Sequence, residues 1–206
     1  MKTFSIKEAL RAGWAVWKNN EKILILSTLI IFALSILADI RGRGVFMFAQ
    51  GLALMVIYNV AFIGWVKLLL KLKDGVHTSL HELVEHVSLF WKYVGSTILL
   101  ILGAGVGLIF LVVPGIYFIL RYYFVTMLVI DKNLSIKEAF KESSLMTDGV
   151  KWKILVFLLA SVGLNILGVL ALGVGLLVSA PVTMLAYIHI YRQLLSKADK
   201  ASPVVS

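Results

Sequence analysis

Residues 154–178 read ILVFLLASVGLNILGVLALGVGLLV, 25 positions in succession without a charged side chain. A helix of that length reaches about 37 Å, more than the roughly 30 Å hydrocarbon core of a bilayer. Lys151, Trp152 and Lys153 precede it. Lys and Trp together suit the headgroup layer, where one ring meets both phases. Three further runs, 23–40, 45–70 and 94–113, also approach or exceed the roughly 20 apolar residues a crossing needs. Two shorter runs, 116–130 and 182–195, each follow a proline, Pro114 or Pro181. They read as crossings that begin below the outer surface, in tight hairpins with the preceding helix, or else as two re-entrant half-helices. The run 23–40 follows 22 patterned residues instead of a short basic tip, so it reads as a first transmembrane helix and not as a cleaved signal.

Composition agrees. Of 206 residues, 60% are apolar, against roughly 45–50% in soluble domains. Cysteine is absent, which excludes disulfides, thiolate metal sites and a cysteine nucleophile and says nothing of compartment. The net charge is +9, but the basic residues flank apolar runs instead of gathering on a water-soluble module, so nucleic-acid binding is not expected. With six spans and the N-terminus inside, 17 of the 20 Lys and Arg fall on inner segments. Only Arg41 and Arg43 lie outside, and Arg121 lies within a span. Ten of the eleven acids share the inner face, which stays positive and favours anionic lipid.

The hexamer SIKEAL at 5–10 nearly recurs as SIKEAF at 135–140. Both match the capping box, in which Ser caps the N3 amide and Glu reaches back. Ser79-Leu-His-Glu82 supplies a third match. Each box predicts a short amphipathic helix feeding a long span, with stripes such as Ile6, Leu10, Trp14 and Trp17, or Leu80, Leu83, Val84, Val87, Phe90 and Trp91. The chain thus divides into units 5–70, 79–130 and 135–195. Gly105-Val-Gly-Leu108 before Pro114 parallels Gly173-Val-Gly-Leu176 before Pro181.

The stretch 107–182 carries Pro114-Gly115, Arg121-Tyr122, Asp131, the Ser-x-x-Glu-Ala box, Gly149 with Trp152, and Gly173-x-Gly175 before Ala180-Pro181. On these residues it resembles a group of bacterial inner-membrane proteins of unknown function, related to the membrane domain of glycerophosphoryl diester phosphodiesterase. The resemblance implies a polytopic, all-helical protein. It implies no activity, because that membrane domain is not the catalytic part.

Five residues stand out as an intramembrane polar site: Arg121, Asp39, Asn59, Asn165 and His189. Arg121 costs about 2.5–3.5 kcal/mol to insert near mid-span. It can snorkel, pair with Asp39, or bind carbonyls freed near Pro114; it serves an anion or headgroup site, or pins the helices together. Gln50, Asn59, Asn165 and His189 suit either a solute path or interhelical hydrogen bonds. The small residues Gly103 and Gly107, and Ala171, Gly175 and Ser179, favour close helix packing. In His77-x-x-x-His81-Glu82-x-x-Glu85-His86, Glu85 stands where a zincin has its second His, so no metal is expected.

The sequence therefore predicts an all-α, polytopic integral membrane protein of one domain, 1–206, with six transmembrane helices in three hairpins, short inner-face amphipathic helices, and both termini cytoplasmic. Neither a catalytic site nor a cofactor is expected. The expected partners are membrane lipids, anionic ones favoured, and a second copy or another membrane protein. The expected role is that of a scaffold, accessory or lipid-interacting protein; a small transporter or channel is the alternative.

Overall fold

A computed structural model describes residues 3–39 and 45–201; the side chains of Asp39, residues 45–48, Phe110 and residues 199–201 fall outside the description. Among the described residues every regular element is helical. In chain order these are α1 (Ile6–Asn19), α2 (Glu21–Asp39), α3 (Val45–Lys73), α4 (Glu82–Glu85), α5 (Phe90–Phe110), α6 (Val112–Arg121), α7 (Val125–Lys132), α8 (Ile136–Met146), α9 (Lys151–Leu170) and α10 (Leu176–Ala201).

Two of the three expected capping boxes act as caps. Ser5 Oγ accepts the Glu8 amide at 3.3 Å and starts α1. At α8 both halves form: Ser135 Oγ accepts from Glu138 N at 3.4 Å, and Ser135 N donates to Glu138 Oε2 at 3.0 Å. The third does not form. α4 is a single turn that starts without a side-chain cap, because the Glu82 carboxylate turns inward to Lys71 Nζ and to His86 Nε2 at 3.0 Å. The segment lies flat on α3, where a Cβ at Gly64 would sit 2.2 Å from the Glu82 carbonyl oxygen. The predicted stripe is split accordingly: Leu83 is buried, while Val84, Val87 and Trp91 are exposed.

The run 154–178 also departs from expectation. It is not one span: α9 ends at Leu170, and residues 171–175 turn the chain back, with Leu172 at φ +57° and Gly173 at φ +75°. The cause is a pair of glycines. A Cβ at Gly175 would lie 2.7 Å from the Gly168 carbonyl oxygen, so only two bare backbones can close this turn. The α5–α6 hairpin uses the same device, Gly107 facing Gly115 with room for no Cβ (2.8 Å to Gly115 Cα). Pro114 lies in the first turn of α6, where a missing N–H costs nothing.

Among the described residues five segments are long and apolar enough to cross a membrane: Glu21–Ala38, Ala49–Lys73, Val87–Ile109, Val112–Lys132 and Lys151–Leu170. The fourth includes the expected 116–130 and is broken by a turn at residues 122–124 between α6 and α7. The expected 182–195 lies inside α10, which is 26 residues long and less apolar than these five. α10 is covered by protein: α1, α2, α3, α8 and α9 all pack on it, and Leu185, Ala186, Ile188, Tyr191 and Leu194 are fully buried.

α1 lies lengthwise against α10 in the opposite direction. Thr3 Oγ1 accepts from Lys153 and its carbonyl from Lys197 at 2.8 Å; Glu8 comes within 3.9 Å of His189; Gly13 presses on Val182 and Ala186. Ala9 and Gly13 are the small residues that permit this approach.

Candidate functional site

Of the five residues singled out from the sequence, the four whose side chains are described do not converge. Arg121 ends α6; its carbonyl accepts Ser143 Oγ at 3.3 Å and Thr147 Oγ1 at 2.9 Å, and its guanidinium lies 5.8 Å from the Tyr122 ring centre. It makes no ion pair among the described residues, and its buried Nε has no partner. Asp39, its anticipated counterion, has its side chain outside the described residues. Asn59 is satisfied within its own helix, donating to the Met55 carbonyl at 2.8 Å. His189 lies 3.0 Å from Gln193 Nε2, one turn on in α10.

Of those four, Asn165 alone lines a large cavity. A cleft of about 590 Å³ runs between α2, α3, α7, α9 and α10. It follows α10 from Leu176 to Tyr187, about 16 Å of helix. Asn165 anchors a polar ladder on one wall: its Nδ2 donates to Ser161 O at 2.9 Å and Thr183 Oγ1 at 3.2 Å, and its Oδ1 accepts from Ser179 Oγ at 2.9 Å. Tyr187 Oη donates to the Tyr123 carbonyl at 3.0 Å at the opposite end. Among the described residues no charged side chain lines the cleft. Thr28 Oγ1, Trp65 Nε1 and Ser161 Oγ, all buried, lie in its walls without a hydrogen-bond partner.

A signal for these extra residues was present as helical spacing. Thr28 and Ser35 are seven apart on α2, Tyr58 and Trp65 seven apart on α3, and Ser161 and Asn165 four apart on α9. Each pair shares a helix face inside an apolar run.

Beyond Tyr187, the next turn of α10 begins a charged layer. Arg192 holds two carboxylates at once: Nη1 and Nη2 on Asp131 at 2.6 and 3.1 Å, Nε and Nη2 on Asp74 at 3.2 and 2.6 Å. Tyr191 Oη also donates to Asp131, at 2.7 Å, and Lys67 Nζ donates to the Asp131 carbonyl at 3.2 Å. Lys92 reaches the Asn133 side chain at 2.8 Å. The charged ends of α3, α7 and α10 and the start of α5 thus meet at one end of the bundle.

Glu82, Glu85 and His86 bring ligand atoms within 4.8 Å of one another. The Lys71 ammonium already occupies the cationic place beside Glu82. Burial alone would raise the Glu82 pKa; the hydrogen bonds from Lys71 and His86 outweigh it and hold the carboxyl below its ordinary value.

No family model matches this chain, and no curated protein or solved structure is significantly similar to it. The class defined by the fold is, among the described residues, that of an all-helical protein with five helices long and apolar enough to cross a membrane.

Proposed function

We propose that this chain is a multi-pass inner-membrane protein with cytoplasmic termini, acting as a lipid-interacting scaffold or accessory protein and not as an enzyme. The observation that carries this is the segregation of charge. Salt bridges and hydrogen bonds draw the polar ends of α3, α5, α7 and α10 to one end, and Thr3 ties the N-terminal residues to Lys153 and Lys197. Elsewhere α2, α5 and α9 expose Leu, Ile and Val along their flanks, as lipid-facing helices do. Counting α10 gives six crossings. Trp91 and Trp152 are exposed beside Lys92 and Lys153, in keeping with the headgroup level. Lys7, Arg11, Lys137 and Lys141 are exposed and make no ion pair among the described residues, which leaves them available to anionic headgroups at about 1 kcal/mol each. A non-catalytic role also agrees with the resemblance of residues 107–182 to bacterial inner-membrane proteins of unknown function, which implies no activity.

The test is thermal unfolding of the full chain in vesicles of phosphatidylcholine alone and with added phosphatidylglycerol. Stability rises with the anionic fraction, and the rise shrinks with salt and on replacing those four basic residues by Gln. Identical melting in both membranes refutes the proposal.

A small transporter or channel is the second reading, favoured by the cleft. Of the residues first suggested for a path, only Asn165 lines it; a path would have to run along Ser161, Thr183 and the tyrosines.

A further inference from the structure

We infer that the turn formed by residues 81–86 is a zinc site, built from His81, Glu82, Glu85 and His86. This goes beyond the proposed membrane role and does not depend on it.

Spacing and contact both bring the four side chains together. His81 precedes Glu85, and Glu82 precedes His86, by four positions; Glu82 precedes Glu85 by three. Such offsets place side chains next to one another on one face of a helical turn. His86 Nε2 lies 3.0 Å from Glu82 Oε2, and the ligand atoms of Glu82, Glu85 and His86 all lie within 4.8 Å of one another. His81 joins them through Glu85, its Nδ1 lying 2.5 Å from Glu85 Oε1. Donors held by one zinc ion at about 2.0–2.2 Å stand roughly 3–3.5 Å apart, so the widest gap must close by roughly 1.5 Å. The side chains of His81 and Glu85 are 73% and 43% exposed, and their rotation at the open side of the turn supplies that movement.

The surroundings suit a ligand set. Glu82 is 7% exposed, and Lys71 of α3 takes its Oε1, which leaves Oε2 to face His86. Ligating carboxylates are commonly oriented by an outer partner of this kind. With neutral imidazoles, two carboxylates face one ammonium, and the turn keeps a net negative charge for a cation. Two imidazoles select zinc and its transition-metal neighbours, whereas calcium and magnesium take oxygen ligands. The zincin pattern fails because Glu85 stands at its second His; His86, one position on, brings the second nitrogen by a different arrangement. Zinc in this place clips the segment joining α3 to α5 onto α3, since Glu82 is tied to Lys71 and the Leu83 backbone is seated at Gly64.

The experiment titrates zinc sulfate into the full chain in phosphatidylcholine nanodiscs, chain and scaffold both free of polyhistidine tags, and follows binding by calorimetry. One ion binds per chain, and zinc raises Tm in a way that EDTA reverses. Calcium and magnesium give neither signal. His81→Gln, Glu85→Gln and His86→Gln each weaken zinc binding about tenfold or more, at least the loss that removal of an outer partner causes. His77→Gln, in the same segment but outside the ligand set, leaves it unchanged. An unchanged Tm without zinc shows that a variant is folded; if His86→Gln lowers it, the variants at the exposed His81 and Glu85 decide the matter. Absence of zinc binding, equal binding of calcium, or zinc binding that a folded variant of the three retains in full overturns the inference. No anionic lipid is present, so the result is read separately from the headgroup proposal.

Discussion

At the scale of single residues, Arg192 is the most heavily committed side chain, forking onto carboxylates from two other parts of the chain. Its two partners differ in worth. Asp131 is 11% exposed and also receives Tyr191, whereas Asp74 is 42% exposed. Removing the buried carboxylate takes a charged acceptor from both Arg192 and Tyr191, while Asp74 still holds the guanidinium, so Asp131→Asn should cost about 1.5–3 kcal/mol. The exposed half is screened by water, and Asp74→Asn should cost below about 1 kcal/mol. Denaturant unfolding of the two variants in the same detergent measures the difference, and equal losses would show that the clasp has no buried member. The sequence assigned Asp131, Asp74 and Arg192 to one face from charge bias, but not their pairing. Spacing along a helix reveals which residues share a face of that helix. It carries nothing about partners 61 or 118 positions away. Arg121 drew notice because charge inside an apolar run is conspicuous, although its carbonyl does more bonding than its guanidinium among the described residues.

At the scale of elements, glycine decides where helices touch. Gly64 seats the Glu82 segment on α3, with Leu83 Cα only 2.5 Å from where a Cβ would be. Gly163, in the middle of α9, has nothing within 4 Å of its Cβ position. Gly64→Ala should therefore destabilise by about 1–3 kcal/mol through overpacking against fixed backbone and loosen the Lys71–Glu82 pair. Gly163→Ala should be neutral or stabilise by up to about 1 kcal/mol, since it only raises helix propensity. Melting of the two variants side by side separates contact from propensity; equal destabilisation would remove the seat assigned to Gly64. The long helices were legible from apolar run length, and two caps from the Ser-x-x-Glu pattern. The third pattern failed because a tertiary partner, Lys71, competed for its glutamate. The end of α9 was not legible because 154–178 keeps one apolar character through its turn; only the Gly168–Gly175 contact, a property of two strands of chain together, ends the helix there.

At the scale of the whole molecule, the charged clasp and the apolar flanks define a polar end and an apolar body, and the proposed orientation puts that end in the cytoplasm. The chain has no cysteine, so single substitutions can be mapped without background. His77→Cys and Asp148→Cys should react with a membrane-impermeant maleimide only after the membrane is opened, and Leu172→Cys, at a turn where the leucine is 93% exposed, should react in sealed cells. Labelling of position 77 or 148 from outside would invert or break the topology. The pairing of α1 with α10 bears on how such a body is made. Thr3 and Lys197 stand 194 positions apart, so α1 must wait without its native partner while that length of chain is made. At roughly 5–20 residues per second that interval is on the order of ten seconds or more. A nascent chain halted before residue 182 would lack the surface Gly13 presses on, and that face of α1 would stay uncovered.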